Sequence, residues 1–294
     1  MLLGVETGGT TIRAAVADDP MGVLAAVTLP TEHPAQTLPR LASALTELVG
    51  AAPVACVGVA AFGPVDVRPE SATYGRLGAT PKTAWRGVDL RAAVSAVVDA
   101  PRVSDTDVCA AAVAERRWGA GRGRDDVCYI TVGTGIGVGA VVAGSHLHGT
   151  GHPELGHLPV PRAAHDDLPG VCPLHGDCLE GLASGPAIAA RWGRPADALG
   201  DATGPACALE AYYLAHLVVT LVYALAPAVV VLGGGVAGMP GLVEATSAAA
   251  GDLLGGTLAE HPLTMGGPFV VPSALPGRAG LVGALTLASD ALLP

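Results

Sequence analysis

The chain has 294 residues, half of them hydrophobic, and a formal net charge of -10. This length exceeds a typical single domain, so we expect one large or two medium domains. Nucleic-acid surfaces need clustered Lys and Arg to neutralise phosphates, so the acidic charge argues against a nucleic-acid partner. The start of the chain lacks a basic signal-peptide region, and Pro227 interrupts the apolar run 216–233. We therefore expect a soluble cytoplasmic protein without a membrane span.

Strand-like and helix-like patterns alternate along the chain, which predicts an α/β fold. Strands are expected at 2–5, 11–17, 23–29, 54–60, 102–104, 127–132, 138–142, 228–232 and 269–272. Helices are expected at 37–49, 90–98, 108–118, 184–192, 206–225, 241–254 and 280–292. A glycine-threonine turn joins two strands at 8–10 and again at 133–135, which indicates two related halves.

Three glycine-rich turns follow predicted strands. Backbone N–H groups in such turns can point at phosphate oxygens without obstruction by Cβ, and threonine hydroxyls add donors. The turns therefore indicate a polyphosphate ligand, although the chain lacks the Gly-x4-Gly-Lys-Ser/Thr pattern of a Walker A loop. They lie at 8–10, 133–135 and 233–235.

A run of cysteine and histidine residues follows the second pair of strands. Its spacing is Cys-x2-His-x2-Cys with a further histidine upstream, and the four side chains are His157, Cys172, His175 and Cys178. Two thiols and two imidazoles are the donors of a closed, structural zinc site. Such a site would hold three polar side chains of the same loop in place: Glu154, His157 and Glu180. The alternative is two buried cysteines and two surface histidines.

Eight motifs together extend over essentially the whole chain. They are Glu6-Thr-Gly-Gly-Thr10, Phe62-Gly-Pro-Val-Asp66, Thr80-Pro-Lys82-x-x-Trp85, Asp105-Thr-Asp107-x-x-Ala-Ala-Ala112-x-x-Glu115, Thr131-Val-Gly-Thr-Gly-Ile-Gly137, His152-Pro-Glu-Leu-Gly-His157, the cysteine and histidine run, and Gly233-Gly-Gly235. In this order they resemble the ROK family of sugar kinases, and among its members the zinc-containing fructokinases of bacteria.

The resemblance implies an actin-like ATPase (ribonuclease H-like) fold with two lobes around a central cleft. Residues 1–117 and a C-terminal helix at about 280–294 would form a smaller lobe, and 118–279 a larger lobe with the zinc loop. It further implies a homodimer that uses ATP and Mg²⁺, contains structural Zn²⁺, and phosphorylates a hexose, with D-fructose giving fructose 6-phosphate. Two alternatives stay open: a kinase for glucose, mannose or another hexose, and a catalytically silent sugar-binding regulator.

By the same resemblance, Asp107 is the catalytic base that accepts the sugar hydroxyl proton. Asp105 is the rival carboxylate, and either residue could instead cap the helix that begins near 108. The implied substrate-binding residues are Gly63, Pro64, Lys82, Asp107, Glu154, His157 and Glu180. The implied ATP- and Mg²⁺-binding residues are Glu6, Gly8, Gly9, Thr10, Thr11, Gly133, Thr134, Gly135, Gly185, Pro186, Gly233, Gly234 and Gly235.

Two residues depart from the family pattern. Thr11 stands where a lysine often follows Gly-Gly-Thr, and Cys109 stands where an asparagine often follows the base. The first removes a charge that could face phosphate, and the second removes a polar neighbour of the base, so weaker turnover or altered specificity is expected. Lys82, the only lysine in the sequence, would supply charge at the cleft or be an ordinary solvated side chain.

Overall fold

The computed structural model describes residues 1–293. They form two compact units: the first contains Met1–Trp118, His146–Pro153 and the segment from Arg278 onward, and the second contains Gly119–Ser145 and Glu154–Gly277. The family resemblance assigns 146–153 to the larger lobe, 118–279, whereas the structure places this segment in the first unit. Residue 294, the expected end of the last helix, lies outside the described residues.

The first unit is built on a mixed five-stranded sheet with the order β3-β2-β1-β4-β5. β1 and β2 form an antiparallel hairpin, β2 pairs with β3 antiparallel, and β4 and β5 continue the sheet in parallel on the other side of β1. The strands are β1 (Leu2–Thr7), β2 (Thr11–Ala17), β3 (Val23–Pro30), β4 (Cys56–Ala61) and β5 (Arg102–Thr106).

The second sheet repeats this order as β8-β7-β6-β9-β10. β6 and β7 form the antiparallel hairpin, and β9 and β10 follow in parallel. This agreement in strand order, and in the directions of β7, β6, β9 and β10, is what two related halves predict. The strands are β6 (Val127–Val132), β7 (Ile136–Val142), β8 (Ser145–His146), β9 (Val229–Gly233) and β10 (Val270–Pro272).

Eight α-helices are found in the described part of the chain. They are α1 (Pro34–Val49), α2 (Leu90–Ser95), α3 (Asp107–Trp118), α4 (Leu179–Ala183), α5 (Gly185–Trp192), α6 (Thr203–Leu225), α7 (Leu242–Leu254) and α8 (Ala279–Asp290). Seven match the expected helices with shifted ends. α1 begins three residues earlier than expected because the His33 side chain accepts the Ala35 N–H and Pro34 fits the first turn. α4 was not expected, because its five residues fall at the end of the predicted zinc loop.

Glycines allow α8 to lie directly against the first sheet and α3. A Cβ at Gly58 of β4 would lie 1.8 Å from the Ala284 carbonyl oxygen, and one at Gly283 would lie 2.1 Å from the Ala110 carbonyl oxygen. No side chain fits at either position unless the backbone moves. The small residues of this chain therefore allow close backbone packing, and this packing fixes α3 and its first residue, Asp107, on the sheet.

One helix among the described residues is long and apolar enough to cross a membrane. It is α6 with the turn before it, Gly200–Leu225, and 50% of its apolar window is buried inside the protein. α6 packs against α7, and its buried residues include Leu214, Leu217 and Leu221. This packing is that of a core helix.

Candidate active site

Asp107 is the first residue of α3, directly after the last residue of β5. Thr106 caps this helix: its Oγ1 accepts the Cys109 N–H at 3.0 Å. The half-buried Asp107 side chain accepts the Val108 N–H at 2.9 Å. A carboxylate in the first turn is stabilised by the helix dipole. The helix cap considered for Asp105 or Asp107 is thus supplied by Thr106, while Asp107 lies at the helix N-terminus.

Asp105 lies two residues earlier and has a different environment. It is 3% exposed, and its Oδ2 lies 2.7 Å from His146 Nδ1 and 3.0 Å from His148 Nε2. Burial alone would raise the pKa of this carboxyl group, but the hydrogen bonds with His146 and His148 outweigh burial and lower the pKa. Asp105 is therefore an ionised, enclosed side chain that both histidines contact.

The first glycine-threonine turn joins β1 to β2. The Gly8 N–H donates to the Thr11 carbonyl at 2.8 Å, and the Thr10 carbonyl accepts the Thr31 N–H at 2.8 Å. Glu6, near the end of β1, accepts a hydrogen bond from Arg13 at 3.2 Å. Burial raises the pKa of Glu6, although the Arg13 charge opposes this. The structure thus brings the Glu6 carboxyl group and the residues 8–11 to the same end of this hairpin.

The second glycine-threonine turn lies among the other predicted phosphate-binding residues of the second unit. The Gly133 carbonyl accepts the Gly185 N–H at 2.7 Å, and a Cβ at Gly133 would lie 4.0 Å from the Gly235 nitrogen. Gly234 has a φ of 90°, and a Cβ there would lie 2.3 Å from the Val132 carbonyl oxygen. The structure therefore brings together the residues predicted at 133–135, 185–186 and 233–235.

α5 begins beside this turn. The Ser184 side chain caps the helix by accepting the Ala187 N–H, and Gly185 and Pro186 form its first turn. The positive end of a helix dipole favours anions. Three backbone features of the second unit suited to phosphate therefore lie close together: the 133–135 turn, the 233–235 turn and the N-terminus of α5.

Two carboxyl groups, Glu154 and Glu180, interact within the second unit. Glu180 Oε2 accepts the Ile136 N–H at 3.0 Å, and a Cβ at Gly135 would lie 2.5 Å from the same oxygen. Glu154 is exposed to solvent, but the surrounding protein still desolvates its carboxyl group. This desolvation first, and the Glu180 charge second, raise the pKa of Glu154 to about 7. Near neutral pH, Glu154 can therefore accept or donate hydrogen bonds.

The four predicted zinc ligands of the loop converge, with His157, Cys172, His175 and Cys178 offering donor atoms within 4.8 Å of one another. Cys172 Sγ lies 3.7 Å from His157 Nδ1 and 3.8 Å from His175 Nδ1, and Cys178 Sγ lies 3.6 Å from His157 Nδ1. Sulfur and nitrogen ligands on one tetrahedral zinc ion are separated by about 3.5 Å. The donor set and its spacing therefore fit Zn²⁺.

The backbone of this loop explains the spacing. Cys172 and Gly176 exchange two backbone hydrogen bonds, of 3.1 and 2.9 Å, which turn the chain so that both cysteines face the same point. A Cβ at Gly181 would lie 1.9 Å from the Gly176 carbonyl oxygen. The turn therefore packs directly on α4, and Glu180 belongs to this helix.

The remaining predicted sugar-binding residues lie in the first unit. Gly63 and Pro64 follow β4, and the next residue, Val65, donates its N–H to His152 Nε2 at 3.1 Å. Lys82 is half-buried just before a short 3₁₀ turn, with its N–H 3.4 Å from Thr80 Oγ1. These contacts hold Pro64 and Lys82 on separate short segments.

Sequence reasoning missed one set of contacts, those of His146 and His148 with Asp105. A signal was present, since Ser145-His-Leu-His148 places two histidines on the same face of an extended segment. Its partner lies 41 residues away from His146 in sequence, so spacing alone did not reveal the pair.

Comparisons with known proteins agree with this architecture. The model of the ROK family matches residues 2–291. A putative fructokinase from Bacillus subtilis is 38% identical over 99% of this chain and 96% of its own length. A fructokinase from Zymomonas mobilis is 35% identical over 97% and 95%.

The structure of a ROK family glucokinase from Streptomyces griseus in complex with glucose and AMPPNP is also similar. Its TM-score is 0.78 at 26% identity, and the match covers 98% of this chain and 99% of that one. The α/β, actin-like ATPase fold expected from the motifs is confirmed by this match. The family match spans nearly the whole chain, and the chain belongs to the ROK family.

Proposed function

We propose that this protein is a fructokinase that transfers the γ-phosphoryl group of Mg²⁺-bound ATP to the terminal hydroxyl of D-fructose. The products are fructose 6-phosphate and ADP. The observation that carries the proposal is the near-full-length similarity to two proteins named as fructokinases, at 38% and 35% identity. The positions of the candidate site residues support it.

In this reaction Asp107 is the general base. Its carboxylate accepts the hydroxyl proton as the sugar oxygen bonds to the γ-phosphorus and the bridging P–O bond to ADP breaks. Phosphoryl transfer depends mainly on positioning and charge stabilisation, and one well-placed carboxylate is enough to accept the proton. The Thr106 cap and the packing of α3 against α8 hold Asp107 in a fixed orientation.

Asp105 is a poor candidate for the same role. Its Oδ2 contacts two imidazoles and its Oδ1 accepts the Thr106 N–H at 2.7 Å. These hydrogen bonds stabilise the ionised form and weaken it as a proton acceptor. We assign Asp105 to holding the segment that contains His146 and His148.

Fructose hydroxyls are bound by Glu154, His157 and Glu180, with Gly63, Pro64 and Lys82 as further contacts. The support is the pKa of Glu154, which is raised to about 7 by desolvation and by Glu180. Two neighbouring carboxyl groups that interact with each other are suited to several sugar hydroxyls, because a hydroxyl both donates and accepts.

ATP phosphates are bound by the glycine turns of the second unit, which lie beside the N-terminus of α5. Residues 8–11 of the first unit contribute N–H and hydroxyl donors, and Glu6 binds Mg²⁺ through its carboxylate. Burial raises the pKa of Glu6, and a divalent cation would reverse this by favouring the ionised form.

Zinc bound by His157, Cys172, His175 and Cys178 would have a structural role, because all four positions of a tetrahedral ion are taken by protein. Glu180 follows Cys178 by two residues, and Glu154 precedes His157 by three. The ion would thus fix the loop on which both sugar-binding carboxylates lie.

A coupled assay of ADP release with fructose, mannose and glucose, followed by product identification, tests the proposal. We expect fructose to have the highest kcat/KM, mannose to be second and fructose 6-phosphate to be the product. If glucose 6-phosphate is the main product, the preferred substrate is glucose rather than fructose. The similarity to a glucose-bound glucokinase favours this alternative. Absence of ATP turnover with every sugar tested would favour a catalytically silent sugar-binding regulator, the alternative that Thr11 and Cys109 leave open.

The family resemblance extends the proposal to assembly and location. We propose a cytoplasmic homodimer whose two compact units correspond to the two lobes expected from the sequence. Sedimentation at micromolar concentration tests the dimer: a single species of monomer mass would contradict it.

A further inference from the structure

A second cluster of metal-binding residue types lies in the first unit, at the junction of β5 and α3. We name it the junction cluster, and its members are Asp105, Cys109, His146 and His148. Their donor atoms, a carboxylate oxygen, a sulfur and two imidazole nitrogens, all lie within 4.8 Å of one another. This is the same convergence that the loop ligands show, and nothing in the proposed kinase chemistry uses it.

The cluster is held by rigid parts of the fold. Asp105 ends β5 and Cys109 lies in the first turn of α3, and each is 3% exposed. The Thr106 hydroxyl accepts the Cys109 N–H. The Cys109 thiol lies beside the Asp105 carboxyl group, and burial together with that carboxylate raises the pKa of the thiol.

The two histidines come from the segment 146–153. Their side chains are 31% and 23% exposed, so an ion can reach the cluster from this side. His148 Nδ1 is buried and has no hydrogen-bond partner among residues 1–293. The nitrogen that His148 offers to an ion is the other one, Nε2, which contacts Asp105.

We propose that the junction cluster binds a second divalent transition-metal ion, of the Zn²⁺ or Co²⁺ type, through Asp105, Cys109, His146 and His148. One thiolate, two imidazoles and one carboxylate make a donor set for a borderline-soft tetrahedral ion, whereas Mg²⁺ and Ca²⁺ prefer oxygen ligands alone. The fold brings the pair Asp105 and Cys109 together with two histidines that lie 41 and 43 residues after Asp105.

Binding requires a small movement of the side chains. Asp105 Oδ2 lies 2.7 Å from His146 Nδ1 and 3.0 Å from His148 Nε2, which are hydrogen-bond lengths. Oxygen and nitrogen ligands on one tetrahedral ion lie about 3.3 Å apart. The ion therefore replaces the protons between these atoms: the imidazole nitrogens that bind it must be unprotonated, and Cys109 loses its thiol proton to solvent.

The ion would join the segment 146–153 to the start of α3. At present this segment is held by the two contacts to Asp105 and by the Val65 N–H bond to His152. Glu154 follows the segment directly, and Asp107 lies between the two ligands of the β5–α3 junction. The proposed ion therefore fixes the chain next to a proposed sugar ligand and the proposed base.

The test uses the full chain with its loop cysteines intact and filled with zinc. Co²⁺ is then added, and bound cobalt is measured by equilibrium dialysis together with the thiolate-to-cobalt absorption band. We expect one cobalt per chain with this band in the wild type. Cys109→Ser should abolish the band, and His148→Gln should weaken binding by at least about tenfold.

Cys56→Ser is the matched control, because Cys56 is another fully buried thiol of the first unit, and this variant should keep both signals. Cobalt binding without a thiolate band, or a band that Cys109→Ser leaves unchanged, would overturn the proposal.

A second measurement does not depend on whether the variants fold. Anomalous diffraction from wild-type crystals grown with excess zinc should show a peak bonded to Asp105, Cys109, His146 and His148, in addition to one at the loop. A peak at the loop alone, with zinc at saturation, would overturn the second site. Neither measurement requires the protein to be a kinase.

Discussion

The β5–α3 junction and the Cys172–Cys178 loop contain similar side chains in different states. In the loop, sulfur and nitrogen donors stand 3.6 to 3.8 Å apart, the spacing of ligands around an ion. At the junction, oxygen and nitrogen are 2.7 and 3.0 Å apart, the spacing of hydrogen bonds. The distances between donor atoms thus distinguish the two sites. The loop donors already have the spacing of metal ligands, whereas the junction donors are hydrogen-bonded and must move apart to bind a metal ion.

The two regions also differ in how they hold their carboxyl groups. At the junction, hydrogen bonds with His146 and His148 lower the pKa of Asp105, and Asp107 lies at a helix N-terminus. In the loop, Glu154 and Glu180 interact with each other, and the pKa of Glu154 is raised. The junction therefore favours ionised carboxylates, whereas the Glu154 carboxyl group has a pKa close to neutral pH.

The largest expected effect concerns the two aspartates of the junction. Asp107→Asn should lower kcat by roughly 10² to 10⁴ because the proton acceptor is lost while size is kept. Asp105→Asn should cause a smaller loss, since it acts only through the position of α3 and the histidines. Coupled ADP-release kinetics on both variants make the measurement, with circular dichroism as the control for folding. Near-native turnover of Asp107→Asn beside an inactive Asp105→Asn would reverse the assignment.

The next effect concerns the loop. Replacing Cys172 and Cys178 together by serine should remove one zinc ion per chain and lower the free energy of unfolding by more than about 4 kcal/mol, because a structural metal is lost. KM for fructose should rise, since Glu180 lies on the helix that follows. Elemental analysis and urea unfolding give the two readings. Cys128→Ser, a buried thiol of the same unit, is the control, and equal stability of the two variants would rule out a structural ion.

A third effect concerns the pH dependence of fructose binding, which distinguishes the roles of Glu154 and Glu180. Because the pKa of Glu154 is about 7, and ionised carboxylates accept the stronger hydrogen bonds, KM for fructose should fall about tenfold from pH 6 to pH 8. Glu180→Gln removes the neighbouring charge and should move the midpoint to lower pH. Glu154→Gln should flatten the profile.

The free energy of unfolding should depend on pH in the opposite sense to fructose binding, because a rise in pH that strengthens binding removes stability contributed by Glu154. The pKa of Glu154 is raised from 4.5 to about 7, so between these values the folded state binds more protons than the unfolded state. Stability from this group is thus present at low pH and is lost as the pH rises through 7. Wild-type unfolding without sugar should show this slope, and Glu154→Gln should reduce it. An unchanged slope in the variant would assign the titration to another group.

The smallest effect concerns the helix cap at the junction. Thr106→Ala should lower the free energy of unfolding by about 1 kcal/mol, because the Cys109 N–H loses its acceptor. Thr106→Ser keeps the hydroxyl and should recover most of this loss. Thermal unfolding of the two variants makes the comparison. Equal destabilisation by Ala and Ser would indicate that the threonine methyl group, rather than the cap, is what matters.

Local sequence patterns predicted most of the fold. Both hairpins, the parallel strands and seven of the eight helices of residues 1–293 follow from apolar periodicity and glycine turns, because these signals act over a few residues. α4 escaped prediction because its five residues follow the zinc ligands directly. The assignment of 146–153 to the first unit also escaped, since it depends on contacts of single histidines with distant residues.

The same reasoning explains which parts of the site could be anticipated. Three of the loop ligands lie within seven residues, from Cys172 to Cys178, so their spacing indicates a common centre. The junction cluster joins positions 41 and 43 residues apart. These residues come together only in the folded chain, where the segment with the two histidines lies beside Asp105 at the end of β5. The resemblance to the ROK family supplied the remaining residue roles.

The matching strand orders of the two sheets allow their positions to be equated. Glu6 of β1 pairs with Ala60 of β4, and Thr131 of β6 pairs with Gly233 of β9. These pairs occupy the same place in the two copies of the motif. The carboxylate of the first sheet is thus a neutral hydroxyl in the second.

The outer parallel strands extend this correspondence. Ser104 pairs with Val59 just before that place, as Pro272 pairs with Leu232. At the place of Glu6 and Thr131 the two copies therefore differ in charge. The first copy has at this place the Glu6 carboxylate that we propose as the Mg²⁺ ligand. In the second copy Thr131 takes this place, and the carboxylate beside the glycine turn is that of Glu180, which comes from α4 and accepts the Ile136 N–H.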